Sequence, residues 1–135
     1  MLRAVAPASE HALGRYSPGI AVDARHADLV FVTGQVAVDE AGRTVGVGDV
    51  AAQAEQVYAN LGRVLEAAGG SLRDLVQVTV YLTSRADFDA FNAVRNRVLS
   101  ASPPPSSTVV VVSGLVVPEH LVEISAVAAV PREPS

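Results

Sequence analysis

Three consecutive prolines, Pro103 to Pro105, followed directly by SSTVVVV, restrict the folds open to this chain more than any other stretch. Proline holds φ at about −65° and carries no N–H, so a helix arriving here must stop and the chain must leave it extended. The β-branched run that follows then reads as a strand, with Ser106 and Ser107 delivered in a set position at its mouth. TVVVV shows no polar–apolar alternation, so both faces of its sheet are expected to be mostly apolar. In a chain of 135 residues one of those faces needs a partner, and an oligomer is expected.

The other elements follow from periodicity. Leu2 to Val5, Ile20 to Val22 and Leu29 to Val38 read as strands, the last two as antiparallel neighbours, with DEAGR (Asp39 to Arg43) making a turn. Asp49 is placed to cap a helix whose apolar face is Val50, Ala54, Val57, Tyr58, Leu61, Val64, Leu65 and Ala68, closed by Gly69-Gly70. LVQVTVYL, Leu75 to Leu82, alternates as a strand. Ser84 with Asp87 resembles a capping box before a second helical stripe of Phe88, Phe91, Val94 or Arg95, Val98 and Leu99. Thr108 to Ser113 and Leu121 to Val130 complete the order β-β-β-α-β-α-β-β. The expected architecture is one α+β domain over residues 1–135, two helices covering one face of a mixed six-stranded sheet.

Composition removes several functions. The formal charge is −4 and no run of basic residues follows a phosphate backbone, so nucleic acid is not expected as a partner. Without cysteine there are no disulfides, thiolate metal sites or Cys nucleophile. The start, MLRAVAPASEHALGRY, lacks a signal-peptide core and no stretch reaches ~20 apolar residues. The expectation is a soluble, cytoplasmic chain without a membrane partner. His11, His26 and His120 share no ligand spacing and read as solvated, so no metal is expected. With no Walker loop, GxSxG or GxGxxG, no nucleotide cofactor is expected either.

Some residues stand out chemically. Glu123 interrupts the apolar strand LVEISAVAAV, where a carboxylate is costly unless it has a partner or lies on an edge strand facing solvent. Thr33-Gly34-Gln35 ends LVFVTGQ, where glycine allows a close backbone approach or simply ends a strand. Asn92 and Arg95 share a helical face and read equally as exposed polar residues.

Taken in order, GRYSPG, FVTGQVAVD, AAQAEQVYANLGRVLEAAGGS, LVQVTVYLT, DFDAFNAV, PPPSSTVVVV and LVEISAVAAV resemble the RidA (YjgF) family, the source of the "endoribonuclease L-PSP" label, from about Gly14 to Val130. The resemblance implies a chorismate-mutase-like fold built as a homotrimer around a central β-barrel, with clefts between subunits. It implies cofactor-independent, metal-free hydrolysis of reactive enamines or imines, released by pyridoxal-phosphate enzymes, to a keto acid and ammonia. By the same resemblance Tyr16, Thr33, Gly34 and Asn92 line the cleft, and Glu123 positions or activates water.

One motif departs from the family. Deaminating members have PARS or PARC before the strand, where the arginine pairs with a substrate carboxylate. Here Ser106 stands at the arginine position and Ser107 follows. One hydroxyl cannot act as an anion clamp, so the chain resembles the arginine-lacking subgroups. The expected function is an imine or enamine hydrolase acting on a small molecule other than the usual 2-iminoacids. The alternatives are a noncatalytic metabolite-binding or regulatory trimer, and a pathway-specific deaminase or cyclisation helper; ribonuclease activity is disfavoured by charge. Arg95, one turn beyond Asn92, is the remaining candidate for a relocated clamp.

Overall fold

The protein is described from a computed structural model covering residues 2–8 and 14–133. Asp49 caps the first helix, α1 (Val50–Ala67), by accepting from the Ala52 N–H at 3.1 Å. At the other end Gly70 N–H donates back to the Leu65 carbonyl. Val57, Tyr58, Leu61 and Leu65 are buried as the spacing predicts, but Val64 lies 37% exposed at the margin of the stripe. The second helix, α2 (Phe88–Val98), follows a 3-10 turn over Arg85–Asp87. Ser84 caps that turn through the Ala86 N–H, and Asp87 makes no side-chain cap bond, so the expected capping box is absent here. A full box forms instead at Ser71 and Asp74, before the strand that starts at Leu75.

Six strands form, as expected, but in two sheets. β1 (Leu2–Val5) and β2 (Gly19–Val22) make an antiparallel ribbon of their own. β3 (Ala27–Gln35), β4 (Leu75–Leu82), β5 (Ser106–Val111) and β6 (Val122–Pro131) form a four-stranded sheet in the order β3-β6-β4-β5. The β4–α2–β5 crossover makes β5 parallel to β4, and the other pairs are antiparallel. The expected single six-stranded sheet and the β2–β3 pairing are both overturned. Ser17, just before β2, is tied to Pro104 and Pro105 on the far side of the sheet. The turn into β3 is held by Arg132, whose N–H and guanidinium donate to the His26 and Arg25 carbonyls. Pulled to opposite sides, β2 lies near β4 and the outer edge of β3 is left unpaired.

Both helices pack on one face of the larger sheet. Val78, Val80, Leu82, Val122, Ile124, Ala126 and Ala128 meet Leu61, Leu65 and Phe91 in a continuous core. The opposite face is not the mostly apolar surface expected. Gln77, Thr79, Thr33 and Ser125 stand there beside Phe31 and Val127, with Phe31 76% exposed. Among the described residues, no helix is long and apolar enough to cross a membrane.

Two buried polar groups in α1 contrast in their hydrogen bonding. Gln53 is completely buried; its amide donates to the Gly46 and Glu119 carbonyls and its oxygen accepts from the Leu121 N–H. It thereby ties α1 to the loops entering α1 and β6. The Tyr58 hydroxyl is buried with no hydrogen-bond partner among the described residues. Burial pushes its pKa well above the usual phenol range, against a smaller opposing pull from the Arg95 charge.

Replacing Gln53 by Ala strands three backbone groups and should cost about 2–3 kcal/mol in chemical denaturation. Tyr58→Phe should leave stability at neutral pH unchanged or raised by about 1 kcal/mol, since it removes a hydroxyl that bonds to nothing. Because the folded Tyr58 holds its proton more tightly than the unfolded chain does, its contribution is complete below pH ~10 and is lost as pH rises. Stability above that pH should therefore fall less steeply in Tyr58→Phe than in the native protein.

Candidate functional site

The segment Gly14–Ser17 is strapped to the loop that ends α2. Arg15 donates through Nε to the Leu99 carbonyl at 3.1 Å and through Nη2 to those of Ser100 and Ala101 at 3.2 and 2.7 Å. Its backbone N–H donates to Asn96. Ser17 donates from its hydroxyl to the Pro104 carbonyl at 2.6 Å and from its N–H to that of Pro105 at 2.9 Å. The prolines, which cannot donate, thus contribute two acceptors and hold the entry to β5.

This strap lays Tyr16 and Gly14 against α2. The surface placement favoured for Arg95 from the sequence is overturned: it is only 1% exposed. It lies on the apolar stripe of α2 with Phe88 and Phe91, and that position was the sequence signal for its burial. Its Nε and Nη2 donate to Asn92 Oδ1 at 3.1 and 2.7 Å, and its Nη1 donates to Ser107 Oγ at 3.2 Å. The guanidinium carbon lies 5.7, 5.8 and 5.4 Å from the ring centroids of Tyr16, Phe88 and Phe91, within cation–π range. Burial pushes the Arg95 pKa down, partly offset by Tyr58 and Tyr16. Gly14 is part of the fit, because a Cβ there would collide with Arg95 Nη2 and Asn92 Oδ1.

Tyr16, Asn92, Arg95 and Ser107 therefore form one cluster beside a cleft of about 280 Å³ between α2 and β5. Ser106 does not join it. Neighbouring strand residues point to opposite faces, so Ser107 faces α2 while Ser106 faces away and donates to the Val76 carbonyl at 3.1 Å. Within one chain the two hydroxyls therefore face different sides of β5.

Glu123, Gly34 and Thr33 form a second cluster on the face away from the helices. Glu123 is on β6, an interior strand, opposite Tyr81 of β4, which rules out the edge-strand reading. Gly34 lies at the irregularity in β3 between Val32 and Gln35. A Cβ on Gly34 would overlap the Glu123 carboxyl group, so the absent side chain is what lets the carboxylate lie on this backbone. Thr33 is exposed, its carbonyl accepting from Gln35 Nε2 at 3.1 Å. Within one chain the Glu123 and Arg95 clusters occupy opposite faces of the sheet, with β4 and β5 between β6 and the cleft's outer rim.

Of the histidines, His26 is exposed in a turn, and His11 lies outside the described residues. His120 is not solvated as expected: it is 4% exposed, with Nε2 3.1 Å from Thr44 Oγ1. Among the described residues no group of three or more His, Cys, Asp or Glu is placed to hold a metal. The roles of Gly14, Arg15 and Ser17, and of Arg85 and Phe88 in the cleft lining, were not read from the sequence. The roles of the first three depend on the long-range contacts of the strap.

Residues 6–130 match the family described as Endoribonuclease L-PSP. The chain is 40% identical over 98 residues to protein DfrA of Myxococcus xanthus, covering 73% of each. It is 36% identical over 118 residues to the 3-aminoacrylate deaminase RutC of Acinetobacter baylyi, covering 87% of this chain and 89% of that one. A crystal structure of YyfB from Yersinia pestis, a protein of the conserved Rid family, superposes with a TM-score of 0.87 at 29% identity, covering 96% and 98% of the two chains.

Gly14→Ala drives a methyl group into the hydrogen-bonded Arg95–Asn92 pair and should cost about 1–3 kcal/mol in stability. Gly34→Ala meets only the end of a flexible side chain on an open face, so its melting temperature should stay within a few degrees of the native protein's. Parallel thermal melts of the two variants check the contrast.

Proposed function

We propose, from the premise that this chain belongs to the RidA family, that it hydrolyses a small enamine or imine, with Glu123 as the group that positions and activates water. The family supports a small-molecule, deaminase-like role. The observation that carries the finer reading is the placement of the Glu123 carboxylate on the Gly34 backbone, on the sheet face that the helices leave open. A carboxylate beside bare backbone can accept a proton from water while peptide groups orient the substrate.

In the reaction, an enamine is first protonated on carbon and loses a proton from nitrogen, giving the imine. Water then adds across C=N, its oxygen bonding to carbon and one of its protons passing by way of Glu123 to nitrogen. Collapse of the carbinolamine breaks the C–N bond, releases ammonia and leaves the carbonyl product. None of these three steps needs an oxidant or a reductant.

The division of the polar residues between two faces supports a homotrimer as part of the same reading. Glu123, Gly34 and Thr33 of one subunit would meet Tyr16 and Asn92 of a neighbour across an intersubunit cleft. The exposed Phe31 and the threonine- and serine-rich outer face would then line the barrel.

Ammonia release should be measured with 3-aminoacrylate, the substrate in the name of the Acinetobacter baylyi relative, and with 2-iminopropionate and uncharged imines. Glu123→Gln should slow turnover by about 10²–10⁴-fold with no loss of stability. Gly34→Ala, which displaces the same carboxylate, should lose activity while keeping its fold. Equal rates for native and Glu123→Gln protein across the panel would reject catalysis and favour a metabolite-binding trimer. A solution mass of one 13.9 kDa subunit, rather than three, would reject the assembly.

A further inference from the structure

Arg95 is a buried charge whose partners among the described residues are all neutral. Among the described residues no carboxylate forms an ion pair with it: the pairs present are Arg25–Asp23, Arg97–Glu55 and Arg132–Asp28. Asn92 and Ser107 supply neutral oxygens, and three aromatic rings supply their faces. These groups hold a guanidinium in place without cancelling its charge. A guanidinium carries five N–H donors, and the three hydrogen bonds to Asn92 and Ser107 leave two of them without a protein partner among the described residues. Buried charges are ordinarily paired.

The cleft that Arg95 lines has a composition that fits the missing partner. Its other polar contributors are Tyr16, Ser107 and a second cation, Arg85, while Phe88, Val109 and Val111 make its apolar wall. Among the described residues none that lines it is acidic. At about 280 Å³ it sits at the small end of ligand sites, roughly 300–1,000 Å³. One face is cationic, with a fixed planar donor fork, and the other is aliphatic and aromatic. A carboxylate matches the fork, and a short hydrocarbon or aryl group matches the wall.

We infer that Arg95 is the anion clamp of this chain, and that the cleft between α2 and β5 takes a small monocarboxylate with a compact apolar tail. The family's clamp position is vacated by Ser106, which faces the other side of β5 and donates to the Val76 carbonyl. The charge is supplied instead from helix α2, pre-oriented by Asn92 and Ser107. The inference rests on the hydrolase reading only in identifying the bound carboxylate with the reacting molecule; binding itself is independent of it.

The test is calorimetric titration of the full chain with benzoate and with benzamide, a neutral molecule of the same shape. Native protein should bind benzoate saturably and benzamide at least about tenfold more weakly. Arg95→Met should weaken benzoate by about tenfold or more, Arg95→Lys should restore only part of that loss, and Ser106→Ala should leave it unchanged. Glu123→Gln, which removes a carboxylate facing the bound anion across the proposed intersubunit cleft, should bind benzoate at least as tightly as the native chain even where it releases no ammonia, so loss of catalysis and loss of the clamp are read separately. The inference is overturned if benzamide binds as well as benzoate, if Arg95→Met binds benzoate undiminished, or if native protein binds no benzoate. Should Arg95→Met fail to fold, nitrogen-15 spectra of native protein decide: benzoate must shift the Arg95 Nε–H and Ser107 amide signals. Shifts confined to other residues also overturn it.

Discussion

The attachment of Arg15 and Ser17 to the carbonyls of Leu99, Ser100, Ala101, Pro104 and Pro105 is the interaction on which the rest of the molecule depends. A helix end leaves carbonyls without intrahelical partners, and a proline loop has acceptors but few donors. One arginine and one serine from the far end of the sequence supply the missing donors. Five hydrogen bonds from two residues then decide where the chain enters β2, which side of the sheet that ribbon occupies, and what lies on Arg95. The division into two sheets and the assembly of the Tyr16–Arg95 cluster are both consequences.

The two polar clusters are built differently. Around Glu123 the key element is missing matter: Gly34 has no Cβ, and the carboxylate occupies the space it would fill. Around Arg95 the key element is confinement, with a cation enclosed by aromatic faces and neutral oxygens. An open carboxylate is suited to exchanging protons with water. An enclosed guanidinium is suited to holding one geometry, because it cannot be deprotonated in the working pH range and its side chain has little freedom left.

Much of the architecture was legible from local pattern. The helix from Val50 and the strand Leu75–Leu82 have strong periodicity and fell where it placed them. The Gly34 reading as a close backbone approach was also recoverable, since a glycine ending a strand rich in β-branched residues is unusual without such a need. What failed were inferences needing knowledge of distant contacts. β2 and β3 adjoin in sequence, which favours pairing them, but the strap and Arg132 pull them apart. His120 reads as a loop histidine until its loop is seen folded over Thr44 and Gln53. Arg95 was ambiguous for a different reason: helical spacing put it on the buried stripe, while its charge argued for solvent, and only the surrounding rings and amide resolve the conflict.

The alternation of Ser106 and Ser107 across β5 bears on how this site changes in evolution. Adjacent codons address two different environments, one opening on the outer sheet face and one on the helix layer. A cation introduced at 106 would therefore not strengthen the Arg95 cleft; it would create a second positive centre on the other side of the strand. Charge at residue 106 and charge at residue 95 therefore act on two separate surfaces, although one strand and the helix that crosses to it carry both.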